Sequence, residues 1–330
     1  MGVNSTWRKW LAQLAESRGR SGSHRPIARR GLEILTLEDR CTPAASVQFS
    51  AASESVNNSA GSFSIPVTVT TTPTTFTTGT YNSAVAVDSA GNAYVADDEI
   101  EGTVDKVTPD GTISTFASGF NGPVALAFDP ADNLFVLNAG SGTVSEVTPA
   151  GSVSTFAAGF TNPVALAFDP TGNLYVVSGK SVYRASPGGV IAAAYSFGAP
   201  VGGIAFDAAG NLYAILVYEG TGPHSLSTGG VIAEVADGTT SVFALSTNTG
   251  GDLVLDGAGN LYTSGPGYLT EVSPDGTSRS LSIGVTNPNA VAVSHGVLYV
   301  AAATTLNEVS TAPLTVPDCT LNGSAADSPV

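Results

Sequence analysis

A unit written six times at roughly forty-residue intervals, two β-hairpins in most copies, and a chain end complementary to its beginning predict an all-β protein. The fold they predict is a six-bladed β-propeller of four-stranded blades, closed by an N-terminal strand that completes the last blade. The plainest copies are VALAFDPADNLFV at 124–136 and VALAFDPTGNLYV at 164–176. With 42% hydrophobic residues, 12% charged residues and 38 glycines in 330, the chain has enough apolar material for a sizeable core broken by many turns, and helix is expected to be scarce.

Residues 1–45 read as a basic targeting or export-type segment. They carry eight Lys/Arg against four Asp/Glu, leaving four against twenty-three for the rest and a net charge of −15 overall. A body so acidic lacks the basic face that phosphates need, so nucleic acid is not expected as a partner. Trp7, Trp10, Leu11 and Leu14 fall at the spacing of a short amphipathic helix. The apolar run is too short for an ordinary secretory signal, and Arg29-Arg30 is a twin arginine with no apolar region behind it. In RRGLEILTLEDRCTPA, residues Leu32, Glu33, Leu35, Leu37, Glu38, Asp39, Arg40 and Pro43 resemble the N-terminal motif of planctomycete extracellular proteins. That resemblance implies an extracellular or cell-surface location. Cys41 and Cys319 are the only cysteines; they supply neither metal-ligand spacing nor a disulfide framework, and whether they pair is left open. No run approaches the roughly 18 apolar residues of a membrane span, so no transmembrane segment is expected.

Residues 46–73 form the next segment. SVQFSAASESVNNSAGSFSIPVTVT alternates in the manner of two short strands and resembles the opening hairpin of a Calx-β domain, without that family's calcium-binding acids; a Thr-rich linker follows.

The ring is expected over 74–312. Aligned on its Asp and Asn, the unit gives DSAGN at 88–92, DPADN at 129–133, DPTGN at 169–173, DAAGN at 207–211 and DGAGN at 256–260, with AVAVSHGVLYV at 290–300 as a sixth copy lacking the Asp. An Asp that bonds nearby backbone N–H groups, followed by Gly or Asn accepting positive φ, makes a tight turn between two strands. A second hairpin follows in TVDKVTPDGTISTFASG at 103–119, TVSEVTPAGSVSTFAAG at 143–159 and, more loosely, YLTEVSPDGTSRSLS at 268–282. Closure is read from TTFTTGTYNSAVAVD at 74–88, which matches STFASGFNGPVALAFD one unit on, placing Phe76, Phe116 and Phe156 forty apart. The chain thus opens its ring with a lone outermost strand, while TTLNEVSTAP at 304–313 ends it with a third strand and no fourth. Residues 313–330 are expected to be a flexible tail.

The A-x-D-x-x-G-N-L-Y-V core resembles NHL-repeat propellers and their relatives, the gluconolactonase-like and streptogramin-lyase-like families. The resemblance implies the fold; for function it is weak, because one fold carries many sites. The five turn aspartates are read as structural, and Lys106, Glu146, Arg184, Glu234, Glu271 and Glu308, one equivalent position on the third strands, as a solvated strand face. The opposite, loop face is the candidate ligand face. Inter-blade loops bring Asn82, Asn121, Asn162, Asp252, Asn287 and Asn289 toward the channel mouth, and longer loops add Asp97, Asp98, Glu99 and Glu101, with Glu219 and His224 across the ring.

A gluconolactonase-like site would need a divalent metal held by several charged oxygens, and Asp252 alone among neutral amides is a thin sphere. Lyase sites of the related kinds need histidines, and His24, His224 and His295 fall in regions that cannot meet. No catalytic residues are therefore assigned, no organic cofactor is expected, and a divalent cation is left open. The expected function is a monomeric binding or scaffold module for a protein or carbohydrate ligand. The alternative is a degenerate or metal-dependent hydrolase or lyase of the two families named; a third option is a propeller retained as structure.

Overall fold

The computed structural model describes residues 45–49, 67–71, 74–79, 81–97, 102–186, 188–218, 229–246, 251–265, 268–281 and 283–310. The N-terminal motif, both cysteines, His24, the C-terminal tail and five candidate ligand residues (Asp98, Glu99, Glu101, Glu219 and His224) lie outside them. Every described element is a strand or a turn. Strands β1 (Ala45–Phe49) and β2 (Val67–Thr71) pair antiparallel, with Val47 opposite Val69. Strand β3 (Thr74–Thr77) then opens the ring.

Blade one is β4 (Asn82–Val87), β5 (Ala93–Asp97), β6 (Thr103–Val107) and β7 (Ile113–Ser118). Blade two is β8 (Pro123–Phe128), β9 (Leu134–Asn138), β10 (Thr143–Val147) and β11 (Val153–Ala158). Blade three is β12 (Pro163–Phe168), β13 (Leu174–Ser178), β14 (Ser181–Ala185) and β15 (Ile191–Ser196). Blade four is β16 (Val201–Phe206), β17 (Leu212–Tyr218), β18 (Gly229–Ala236) and β19 (Thr239–Ser246). Blade five is β20 (Leu253–Leu255), β21 (Leu261–Gly265), β22 (Tyr268–Val272) and β23 (Ser278–Leu281). Blade six takes β24 (Pro288–Ser294), β25 (Val297–Ala302) and β26 (Thr305–Ser310), and its fourth strand is β3. The first strand of each blade neighbours the first strands on either side, and β24 returns to β4, so the ring is closed.

The turn between first and second strands is one device used five times. In blade one, Asp88 Oδ1 accepts the N–H groups of Ala90 (3.0 Å) and Asn92 (2.8 Å), while Oδ2 accepts Asn92 Nδ2 (2.7 Å). Asp129, Asp169, Asp207 and Asp256 repeat all three bonds. The left-handed residue is Gly in four copies, and in blade two it is Asp132 at φ 59°. That departure is used: Asp132 accepts Ser89 N–H (3.0 Å) and Ser89 Oγ (2.5 Å), tying the turn of blade two to that of blade one.

Packing between blades is also repeated. Tyr94 of β5 meets Phe116 of its own fourth strand and Phe128 of the next blade's first strand, both edge-on at 4.9 Å. Phe135 does the same with Phe156 and Phe168 at 5.0 Å, and Tyr213 meets Phe243 at 5.1 Å. Aromatic pairs of this kind add roughly 0.5–1.5 kcal/mol each beyond buried area, and they explain why phenylalanines recur at forty-residue intervals.

Closure follows the predicted scheme. Leu306 pairs with Phe76 and Thr305 with Thr77. Thr75 Oγ1 donates to Asn307 Oδ1 (2.8 Å), and Asn82 N–H to Ala303 O (2.7 Å).

One expectation is corrected. The mixed charges on the third strands are not uniformly solvated: Arg184 is exposed, Lys106, Glu146, Glu234 and Glu308 are half-buried and Glu271 is buried. Each stands opposite a second-strand aromatic in the ladder: Tyr94 with Lys106, Phe135 with Glu146, Tyr175 with Arg184, Tyr213 with Glu234, Tyr262 with Glu271, Tyr299 with Glu308. Lys106 Nζ lies 5.3 Å from the Tyr94 ring centre, Tyr213 Oη donates to Glu234 (2.9 Å), and buried Glu271 accepts Arg279 Nη2 (2.7 Å). Burial raises the Glu308 carboxyl above its ordinary value.

Candidate functional site

The loop-face mouth of the channel is built by the residue at which each first strand enters the ring. Ladder register makes Ser83, Val124, Val164, Gly202, Gly251 and Asn289 equivalent. All six line a cavity of about 410 Å³, together with Pro200, Val201, Val217 and Asp252. Its lining is divided. Val124, Val164, Val201 and Val217 of blades two to four make an apolar wall, and Asp252, Asn289 and Ser83 of blades five, six and one make a polar one.

Asp252 breaks the repeat. The same ladder position holds Ala84, Ala125, Ala165, Gly203 and Ala290 in the other blades, small residues that let neighbouring first strands approach. Gly203 shows how tight that approach is, since a Cβ there would meet Gly251 O at 2.5 Å. In blade five the carboxylate is partly buried, and its Oδ2 accepts the N–H of Val291 in blade six (3.2 Å). Burial pushes its pKa up to about 7, against the lowering effect of that one bond. A perturbed acid in a concave site is a functional-site marker on physical grounds.

The rest of the polar wall is committed to the ring. Asn289 Nδ2 donates to Asn82 O (3.1 Å), and Ser83 Oγ reaches Pro123 O (2.6 Å) and Ala96 O (3.2 Å). Ser264 Oγ donates to Asn289 O (3.1 Å).

Of the described candidate residues, the structure brings Asp252 and Asn289 into the cavity. Asn82 is fully buried at the closing seam, where its Nδ2 donates to Thr78 Oγ1 (2.6 Å) and Ala302 O (2.9 Å). Asp97 is buried at the end of β5, paired in register with Asn82. Asn162 and Asn287 are exposed at φ 47° and 51°, the left-handed position that Gly122 fills in blade two, so their backbone turns the chain into the next blade. Asn121 is exposed in that blade-two loop, and its carbonyl accepts Gly140 N–H (3.0 Å). His295 lies in the turn between β24 and β25, where its Nδ1 pairs with Ser294 Oγ (2.8 Å). Among the described residues, no three His, Cys, Asp or Glu side chains are grouped to hold a metal ion. The apolar wall is missed in the sequence; its signal is the valine after Pro123 and Pro163, which lines the cavity in both copies.

No family model and no curated protein matches the chain. Solved structures do match in fold. A gluconolactonase from Xanthomonas campestris is 15% identical over 71% of this chain and 87% of its own, with a TM-score of 0.60. A virginiamycin B lyase from Staphylococcus aureus is 10% identical over 72% and 98%, with a TM-score of 0.55. A nidogen/laminin complex matches at 16% over 63% and 84%, with a TM-score of 0.53. Identities this low show a shared propeller fold. Among the described residues no helix is long and apolar enough to cross a membrane.

Proposed function

We propose that the protein is an extracellular or cell-surface binding module, monomeric, whose protein or carbohydrate ligand seats a group in the loop-face mouth of the ring. The observation that carries this reading is the 410 Å³ cavity whose lining is split between valines and a carboxylate flanked by amide and hydroxyl groups. Such a mixture of apolar wall and few convergent polar groups is what ligand sites use. The surface address rests on the motif at Leu32–Pro43.

The test fills the cavity. Val164 is 44% exposed at its wall, so Val164→Trp should leave the melting temperature within about 2 °C while abolishing binding of the full chain to arrayed glycans and peptides. Retained binding would move the site elsewhere. Protease accessibility of the tagged chain on intact cells tests the address.

A second reading rests on Asp252 alone: a carboxyl titrating near neutrality in a cavity is able to act as general acid or base. Hydrolysis of a lactone panel that disappears with Asp252→Asn would favour it.

A further inference from the structure

We infer that the loop-face mouth is built for a primary aliphatic ammonium group, with the nitrogen on Asp252 Oδ1 and the carbon chain along the valine wall. This rests on the reading of the mouth as the ligand site. The polar wall offers a carboxylate oxygen and two further acceptors, with the second Nδ2 hydrogen of Asn289 as its side-chain donor. Asp252 Oδ2 holds Val291 N–H, and no donor of the described residues reaches Oδ1. Asn289 spends one Nδ2 hydrogen on Asn82 O and keeps its Oδ1 as an acceptor, and the Ser83 hydroxyl hydrogen is directed at main-chain carbonyls.

Three acceptors, one of them a carboxylate oxygen, suit an ammonium, which has three donors and no acceptor. A neutral sugar hydroxyl makes no bond between opposite charges with the carboxylate and gains less. A divalent cation wants several charged oxygens, and one carboxylate supplies too few. Charge points the same way: none of the described residues lining the cavity is cationic, and a desolvated carboxylate without a counter-charge is costly until a cation arrives. The burial-raised pKa of Asp252 is that cost made visible. Opposite it, Val124 and Val164 offer the apolar surface that an alkyl stem covers.

The chemistry is shared by free alkylamines and by a lysine side chain presented by a protein, and titration calorimetry on the full chain at pH 8 separates them. The probes are n-butylammonium, n-butanol, a single-lysine tripeptide and its Nε-acetylated form. Butylammonium should bind at least about tenfold tighter than butanol, the advantage of a charge-assisted bond. Asp252→Asn should remove that preference, and Asn289→Ala should reduce it with the fold intact by circular dichroism. A lysine peptide tighter than butylammonium, with its acetylated form weak, assigns the ammonium to a protein partner; the reverse order assigns it to a free amine. Equal binding of butylammonium and butanol, no binding of either amine, or a preference that survives Asp252→Asn overturns the inference. If a glycan or alcohol then binds and Val164→Trp abolishes it, the mouth stands as a site of other chemistry; binding indifferent to Val164→Trp removes the mouth itself.

Discussion

Six aspartates occupy the first-strand regions of the ring, and they divide into five of one kind and one of another. Asp88, Asp129, Asp169, Asp207 and Asp256 each accept two backbone N–H groups and an Asn side chain, and Asp88 and Asp256 also accept the hydroxyls of Tyr94 and Tyr262 at 3.1 Å. Asp252 accepts one N–H on Oδ2, and no donor of the described residues reaches Oδ1. Burial opposes ionisation of Asp256 and of Asp169, yet the converging donors hold both below the usual carboxylate value; at Asp252 burial wins. Repetition marks carboxylates whose valence is already filled, whereas the lone departure marks one that is still available.

Substitutions can break this contrast at either end. The largest effect is expected from Asp88→Ala, which removes a buried carboxylate and leaves two N–H groups, an amide and a tyrosine hydroxyl without their acceptor. It should cost about 3 kcal/mol and lower the melting temperature by roughly 6–12 °C, read by calorimetry. A fall under 2 °C would deny that these aspartates hold the blades.

Asp252→Asn should act in the opposite direction. Between the ordinary carboxyl value of 3.8 and about 7, the folded protein keeps a proton that the unfolded chain releases. Stability therefore falls as pH rises through that window and levels off above it. The amide removes this slope, and at pH 8 it should gain on the order of 2 kcal/mol. A melting curve whose pH dependence is unchanged by the substitution would mean that the carboxyl is solvated.

A smaller effect is expected from Asp256→Asn on the acid limb. Asp256 is held below its ordinary value in the fold, so its contribution is present above the unfolded pKa and lost as pH falls through the folded one. The variant should melt lower at neutral pH and show a shallower loss toward pH 2. Least of all, Ser89→Ala removes the exposed tie to Asp132 and should move the midpoint by no more than about 1 °C.

How far the sequence carried these results depends on which residues repeat. The Asp-to-Asn spacing and the recurring phenylalanines placed the blades, the turns and the closing strand, because turn chemistry and inter-blade packing are local and rewritten in each unit. The mouth was harder. Asn82 was read with the loop residues, but it is already inside the ring, since the seam recruits its amide to bind Thr78 and Ala302. Asn162 and Asn287 carry amides for the sake of a left-handed backbone, which composition cannot separate from ligand binding. Asp252 and Asn289, expected toward the mouth, line the cavity there, yet the valines opposite them read only as strand residues until the ladder register placed them around one opening.

The seam in blade six sets the order of assembly. Thr75 and Asn307 bond across a sequence separation of 232 residues, so β3 is the first strand of the ring to be synthesised and the last to find a partner. Until Ser310 has emerged, the nascent chain carries an unmatched edge at each end, and long-range pairings of this kind slow folding and expose strands to other chains. A chaperone that shields β3 through translation would protect the whole domain, and a nascent chain cut a few residues short would be stranded as an open arc.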